Sequence, residues 1–175
     1  MSEMIGTVLD FARTRFAGSI PVSPRAIDLR ELCATIVDEL KAAHPKRQIV
    51  FAAGTVERGQ WDPARIAQVL SNLVANALTH GARNQPVHIT LTGDAQSVAI
   101  AVVNRGPAIP PDKLDKLFEP FERGEESETE NRSGLGLGLF IAQQIVRSHG
   151  GNIAATSADG LVTFTVELPR QTARA

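Results

Sequence analysis

Ser71-Asn72-Leu73-Val74-Ala75-Asn76-Ala77-Leu78-Thr79-His80-Gly81 is the stretch on which the reading of this chain turns. Around it, Ile66, Val69, Leu70, Leu73, Val74 and Ala77 recur with the 3.6-residue period of one apolar helix face. Gln68, Asn72, Asn76 and His80, each four residues from the last, form one polar line beside that face. Asparagine is a poor helix former, because its side chain competes for backbone hydrogen bonds. Two of them aligned at mid-helix ask for a reason: a polar edge facing water, or a place at a ligand. A carboxamide oxygen is a hard, uncharged ligand suited to Mg²⁺.

The chain has 175 residues, enough for one domain and a short appendage. Hydrophobic residues make up 43% and charged residues 21%, a balance that supports a packed core. The net charge of −1 argues against a general affinity for nucleic acid or for an anionic membrane surface. Cys33 is the only cysteine, so no internal disulfide forms; it lies in an apolar helical pattern and reads as a small core residue. No apolar run reaches membrane-spanning length and no signal peptide opens the sequence. A cytoplasmic setting is expected, which leaves room for a membrane anchor upstream.

Outward from the asparagine helix, Asp62-Pro63 supplies its cap and first residue. Residues 3–16 read as a helix with Ile5, Leu9, Ala12 and Phe16 on a bundle-type seam. Residues 17–24, with Gly18, Pro21 and Pro24, read as a linker. Asp28 caps a second helix to about Ala43. Strands are expected at 48–53, 59–62, 87–91, 98–103, 152–156 and 161–168, with hairpins at Gly93-Asp94 and Asp159-Gly160. A short helix is expected at 110–118 and a longer one at 135–148, ending at Gly150-Gly151. Helices and mostly antiparallel strands come in groups. The expected fold class is α+β: a two-layer sandwich, one mixed, mostly antiparallel sheet covered by helices on one face, with a short helix in front.

Three further segments carry chemistry. Gly134-Leu135-Gly136-Leu137-Gly138-Leu139 leads into a helix; its glycines let backbone N–H groups approach a ligand, and the helix N-terminus favours phosphate. The polar, acidic stretch 122–133 just before it is expected to be mobile and to act as a lid. Asn104-Arg105-Gly106-Pro107-Ala108-Ile109 ends a strand with a polar side chain able to meet a base edge, and Gly106 allows a close approach. Phe118-Glu119-Pro120-Phe121 reads as a hydrophobic clamp at the base of the lid.

In this order and spacing, the four segments resemble the N box, first glycine box, F box and second glycine box of sensor histidine kinase catalytic domains, members of the Bergerat-fold ATPase superfamily. The resemblance spans residues 28–170. It implies three parts: residues 1–25 as the end of a dimerisation helix and a linker, 26–171 as the ATP-binding domain, and 172–175 as a tail. It implies ATP and Mg²⁺ as cofactors, with Asn76 as the metal ligand and Asn72 organising metal and phosphates. Asn104, with Gly106, Ala108 and Ile109, would face adenine, and Thr163 would stand near the base. Gly134, Leu135, Gly136, Leu137, Gly138 and Leu139 would line the triphosphate, with Arg123 or Arg132 reaching the γ-phosphate from the lid. His80, where the family often has an aromatic residue, would end the polar line at the ligand.

The chain departs from the family pattern at Asn104 (usually Asp), Ala108 (usually Gly) and Thr79 (often basic). An asparagine still accepts from the adenine amino group but loses charge assistance, about 1 kcal/mol or roughly fivefold in affinity. His44, His80, His88 and His149 do not sit in the family's phosphoacceptor motif. The acceptor is therefore expected upstream, on a dimerisation domain absent from this sequence. The implied function is transfer of the γ-phosphoryl of Mg-ATP to that histidine, for relay to a response regulator in a two-component system. Asn72 stands where hydrolysing relatives place Glu, which favours transfer over hydrolysis. A silent nucleotide-binding module and an anti-sigma-type serine kinase of the same fold are the alternatives.

Overall fold

The structure, a computed structural model, describes residues 2–55, 57–121 and 136–171. Helix α1 spans Ser2–Ala17, strand β1 Arg25–Asp28, helix α2 Leu29–Ala43, β2 Ile49–Ala53 and β3 Arg58–Trp61. Helix α3 spans Pro63–His80, followed by β4 (Val87–Gly93) and β5 (Ser97–Arg105). Helix α4 is a single turn, Pro111–Leu114, continued by a 3₁₀ turn at Asp115–Phe118. Helix α5 (Gly138–Ser148) precedes the closing strands β6 (Asn152–Ala158) and β7 (Leu161–Pro169).

Local chemistry sets these boundaries. The Asp28 carboxylate accepts from the Arg30 N–H and starts α2. Asp62 accepts from the N–H groups of Ala64 and Arg65, with Pro63 at the first helical position of α3. The β6–β7 hairpin closes through Asp159 and Gly160, both with positive φ (53° and 72°), the pairing a two-residue turn of this hand requires.

Five strands form one sheet in the order β2-β4-β5-β7-β6, with β2 parallel to β4 and the other pairs antiparallel. Side chains alternate across it. Val87, Ile89 and Leu91 of β4, Val98, Ile100 and Val102 of β5, and Val162, Phe164, Val166 and Leu168 of β7 are buried on one face. Against that face pack α2, α3 and α5, whose own buried stripes are Cys33–Ile36–Val37, Ile66–Val69–Leu70–Leu73–Val74–Ala77 and Ile141–Ala142–Ile145–Val146. This is the two-layer α+β architecture expected from the sequence. β1 and β3 form a separate antiparallel pair, tied back by the buried Trp61, whose indole N–H donates to the Pro169 carbonyl at 2.9 Å.

Two local expectations are corrected. β1 occupies residues assigned to the linker and helix cap; its four residues carry no alternation, and its partner β3 lies about thirty residues on. Helix α5 begins at Gly138 rather than Leu135, since Gly136 has φ +66°, outside the right-handed helical region. On α1 the bundle-type seam faces outward: Leu9 and Phe16 are 54% and 92% exposed, and the Ile5 side chain lies outside the described residues. The face against the domain instead carries Asp10 and Phe11. Asp10 Oδ2 accepts from Arg65 Nη1 at 2.7 Å and Gln68 Nε2 at 3.1 Å. The Phe11 ring meets Phe121 and Phe140 edge-on, at 5.1 and 5.8 Å between centroids.

Candidate functional site

The apolar stripe of α3 faces the sheet, so its polar line emerges at the side where α5 packs. There Asn72 Nδ2 donates to the Gly138 carbonyl at 3.0 Å. The asparagine helix and the glycine segment thus meet at hydrogen-bond distance. One turn on, Asn76 is half-buried, and its carboxamide has no hydrogen-bond partner among the described residues. That is a fitting disposition for a hard oxygen donor to Mg²⁺, and no cluster of three His, Cys, Asp or Glu that could hold a metal occurs among the described residues. Gln68 is drawn off to Asp10 of α1, so the polar line divides: its first member holds a helix, Asn72 reaches α5, and His80 is exposed at its end.

The N-terminus of α5 has no side-chain cap. Its first N–H groups, on Gly138, Leu139 and Phe140, precede the first intrahelical donor, Ile141, which bonds the Leu137 carbonyl. Uncapped N–H groups and the helix dipole make this end a favourable place for phosphate. Leu137 is 2% exposed and Leu139 packs on the core, so these two offer backbone rather than side chains at the start of α5. Gly138 leaves ordinary contact distance for an added Cβ, 3.6 Å from the Asn72 side chain.

Asn104 ends β5 on the helix-covered face and is only 4% exposed. Its carboxamide lies against two glycines: a Cβ added to Gly81 would come within 3.0 Å of Nδ2, and one added to Gly106 within 3.2 Å. Gly81, at the end of the opening motif, was not singled out in the sequence. Its Cβ would also strike the Ala77 carbonyl at 2.4 Å, so only glycine lets the end of α3 lie beside Asn104. The Ala82 N–H to Arg105 carbonyl bond, 2.7 Å, fixes the same approach. Among the described residues, Phe121 and Asp159 are the non-glycine residues with positive φ, so Ala108 sits in an ordinary conformation and the substitution causes no strain there.

Thr163 does not share a face of the sheet with Asn104. Register pairs Asn104 with Val162, and alternation turns Thr163 with its partner Val103 to the opposite face of the sheet. Val162 is the residue that shares the face of Asn104. The phenylalanine clamp also divides. Phe118 is buried edge-on against Phe164 at 6.3 Å, whereas Phe121 is 56% exposed, with φ +66°, under Phe11. The Phe121 N–H donates to the Gly136 carbonyl at 3.0 Å, which joins the two ends of segment 122–135. Residues 122–135, which include the lid expected at 122–133 with Arg123 and Arg132 and the first glycine-segment residues Gly134 and Leu135, lie outside the described residues.

Burial shifts the titration of two groups, Cys33 and His149. Burial pushes the Cys33 thiol up to about 12, so it stays protonated and inert. His149, fully buried, is held below its usual range by burial, against opposing contributions from the Ile145 carbonyl and Asp62. Its Nε2 accepts from the Asp62 N–H at 3.0 Å and its Nδ1 lies 2.9 Å from the Ile145 carbonyl. It therefore fastens the end of α5 to the start of α3 in its neutral form.

Residues 61–172, more than half of the chain, match the family described as "Histidine kinase-, DNA gyrase B-, and HSP90-like ATPase". The chain belongs to that family. Within it, this histidine kinase-like ATPase domain is 36% identical to a bacteriophytochrome of Pseudomonas aeruginosa over 97% of its length. It is 31% identical to the catalytic domain of histidine kinase ThkA, with a TM-score of 0.73, covering 85% of this chain and 99% of that one. A longer form of ThkA, in complex with response regulator protein TrrA, matches 99% of this chain and 49% of its own at 27% identity and a TM-score of 0.77. The histidine kinase-like ATPase domain spans less than half the length of the curated relatives it matches, 23% in the case of the bacteriophytochrome. Its fold and its kinase-type catalytic module are those of the sensor histidine kinases. No helix among the described residues is long and apolar enough to cross a membrane.

Proposed function

We propose that this domain holds Mg-ATP between α3 and α5 and passes the γ-phosphoryl group to a histidine on a dimerisation domain, from which it is relayed to a response regulator. The observation that carries the reading is the Asn72–Gly138 hydrogen bond, which sets the carboxamide line against an uncapped helix N-terminus. Phosphoryl transfer asks a protein mainly to position groups and to offset charge, and both elements serve that end. The N–H groups of Gly138, Leu139 and Phe140 receive phosphate oxygens. Asn76 offers its carboxamide oxygen to Mg²⁺, which when bound neutralises phosphate charge. Asn72 keeps α5 in register with that oxygen. Asn104, cradled by Gly81 and Gly106, presents a carboxamide to the adenine edge, with Ala108 and Ile109 bordering the base. Arg123 or Arg132 would reach the γ-phosphate from segment 122–135.

The attacking group is the acceptor imidazole, so no general base is required on this domain. Asn72 cannot activate water as a carboxylate does, which keeps hydrolysis slow. ThkA, solved with response regulator TrrA, supports relay to a protein of that class. The test joins this chain to upstream dimerisation helices and supplies γ-labelled ATP. Acid-labile phosphohistidine that passes to a response regulator supports the reading; tight ATP binding without transfer, or acid-stable phosphoserine on a partner, overturns it.

A further inference from the structure

We propose that Ser157 is a positioning residue for the base-binding loop at 106–110 and thereby sets the preference for adenine; this rests on the reading that Asn104 faces that base. Ser157 lies on β6, outside every motif of the sequence, and belongs to one row across three strands: Asn104 of β5 pairs with Val162 of β7, which pairs with Ser157 of β6. All three lie on the helix-covered face, since Ile153 and Ala155 precede Ser157 at every second position of β6 and pack into the core. The Ser157 hydroxyl is half-buried at that position. Its partner is the Ile109 N–H, which donates to Ser157 Oγ at 2.9 Å.

The loop leaves β5 beside Asn104, crosses the end of β7 and is caught two strands away, a span of roughly 9–10 Å. Pro107 and Pro110 have no N–H, so Gly106, Ala108 and Ile109 are the loop's only backbone donors. Two of those three are spent on anchoring. Gly106 donates to the Gly160 carbonyl at 3.2 Å, and Ile109 donates to Ser157. The first anchor is backbone to backbone and survives most substitutions. The second depends on one side chain. With Asn104 wedged between Gly81 and Gly106 at one end of the loop and Ile109 packed on the core at the other, the Ser157 hydroxyl fixes the separation between the group that reads the base edge and the side chain that borders its ring.

The test compares Ser157→Thr with Ser157→Val, near-isosteric side chains of which only Thr keeps the acceptor, alongside Ser157→Ala and Asn104→Ala. ATP and GTP dissociation constants are measured for the full 175-residue chain, together with thermal midpoints. The expected result is that Ser157→Val and Ser157→Ala weaken ATP binding about fivefold, the worth of one neutral hydrogen bond, with a smaller change for GTP. The ratio of the two affinities falls, and Ser157→Thr restores it. A purely structural role would lower the thermal midpoint and leave the ratio unchanged. If Ser157→Val and Ser157→Thr show the same ratio as the parent while Asn104→Ala loses it, the Ser157 inference is overturned and the base assignment stands. If Asn104→Ala keeps the parent's ratio, the base assignment itself fails.

Discussion

Asn72 Nδ2 and the carbonyl oxygen of Gly138, sixty-six residues apart in sequence, are 3.0 Å apart in the fold. A side chain of α3 is thus fixed to the first residue of α5, and the two elements that would share a triphosphate cannot shift independently. Replacing Asn72 by Ala removes that tie. The expected stability cost is about 1 kcal/mol, the net worth of a typical hydrogen bond. ATP affinity should fall at least tenfold, because binding then has to order the two helices as well. Calorimetric titration and thermal melting together check this; a full loss of stability with intact ATP affinity in the folded fraction would contradict it.

Asn104→Asp should separate stability from binding. A carboxylate at a site only 4% exposed, set against Gly81 and Gly106, is costly before the nucleotide arrives. Once adenine is bound, its amino group donates to a charged acceptor, which strengthens the bond. The ligand-free variant should melt below the parent, while its ATP affinity rises about fivefold. Trp61, the only tryptophan and fully buried, reports the unfolding.

His149 gives a pH signature. In the folded chain its titration is shifted below the usual value of 6.5, mainly by burial. The unfolded chain therefore binds this proton more readily, so its contribution to stability is complete above about pH 6.5 and is lost as pH falls through the lower folded value. Protonation also turns Nε2 from acceptor into donor and breaks its bond to the Asp62 N–H. Urea midpoints should drop between pH 7.5 and pH 5.5 in the parent and drop less in His149→Gln. Equal drops would contradict the assignment.

Asp10 holds α1 through two donors, Arg65 and Gln68, and is 4% exposed. Asp10→Ala should free α1 from the body while the sheet remains intact. Hydrogen exchange should then quicken across residues 2–17 and stay unchanged in β4, β5 and β7. Unchanged protection of α1 would show that the Phe11 contacts with Phe121 and Phe140 suffice.

What the sequence disclosed, and what it withheld, follows from the range of each interaction. Asp28, Asp62 and Pro63 act within three residues, so the helix starts were legible. The α3 stripe and the Asn72–Asn76 line were legible because a helix repeats over many residues. Thr163 was misplaced because strand faces alternate: one residue's difference separates it from Val162, and no local signal fixes that parity. β1 was missed because its pairing with β3 spans a whole helix. The docking face of α1 was not legible, because Asp10 is fixed by partners 55 and 58 residues on. Ser157 gave no sign at all, since a lone serine in a strand carries no pattern.

The central claim is that the carboxamide line of α3 and the start of α5 bind one magnesium-bearing nucleotide. ATP titration of the parent chain and of Asn76→Ala, each with and without Mg²⁺, tests it most directly. Asn76 makes no hydrogen bond among the described residues, so the substitution should leave stability within about 0.5 kcal/mol. The parent should bind ATP more tightly with Mg²⁺ present, and Asn76→Ala should lose most of that gain while keeping its metal-free affinity. Superimposable titrations of the two proteins in Mg²⁺ would contradict the account.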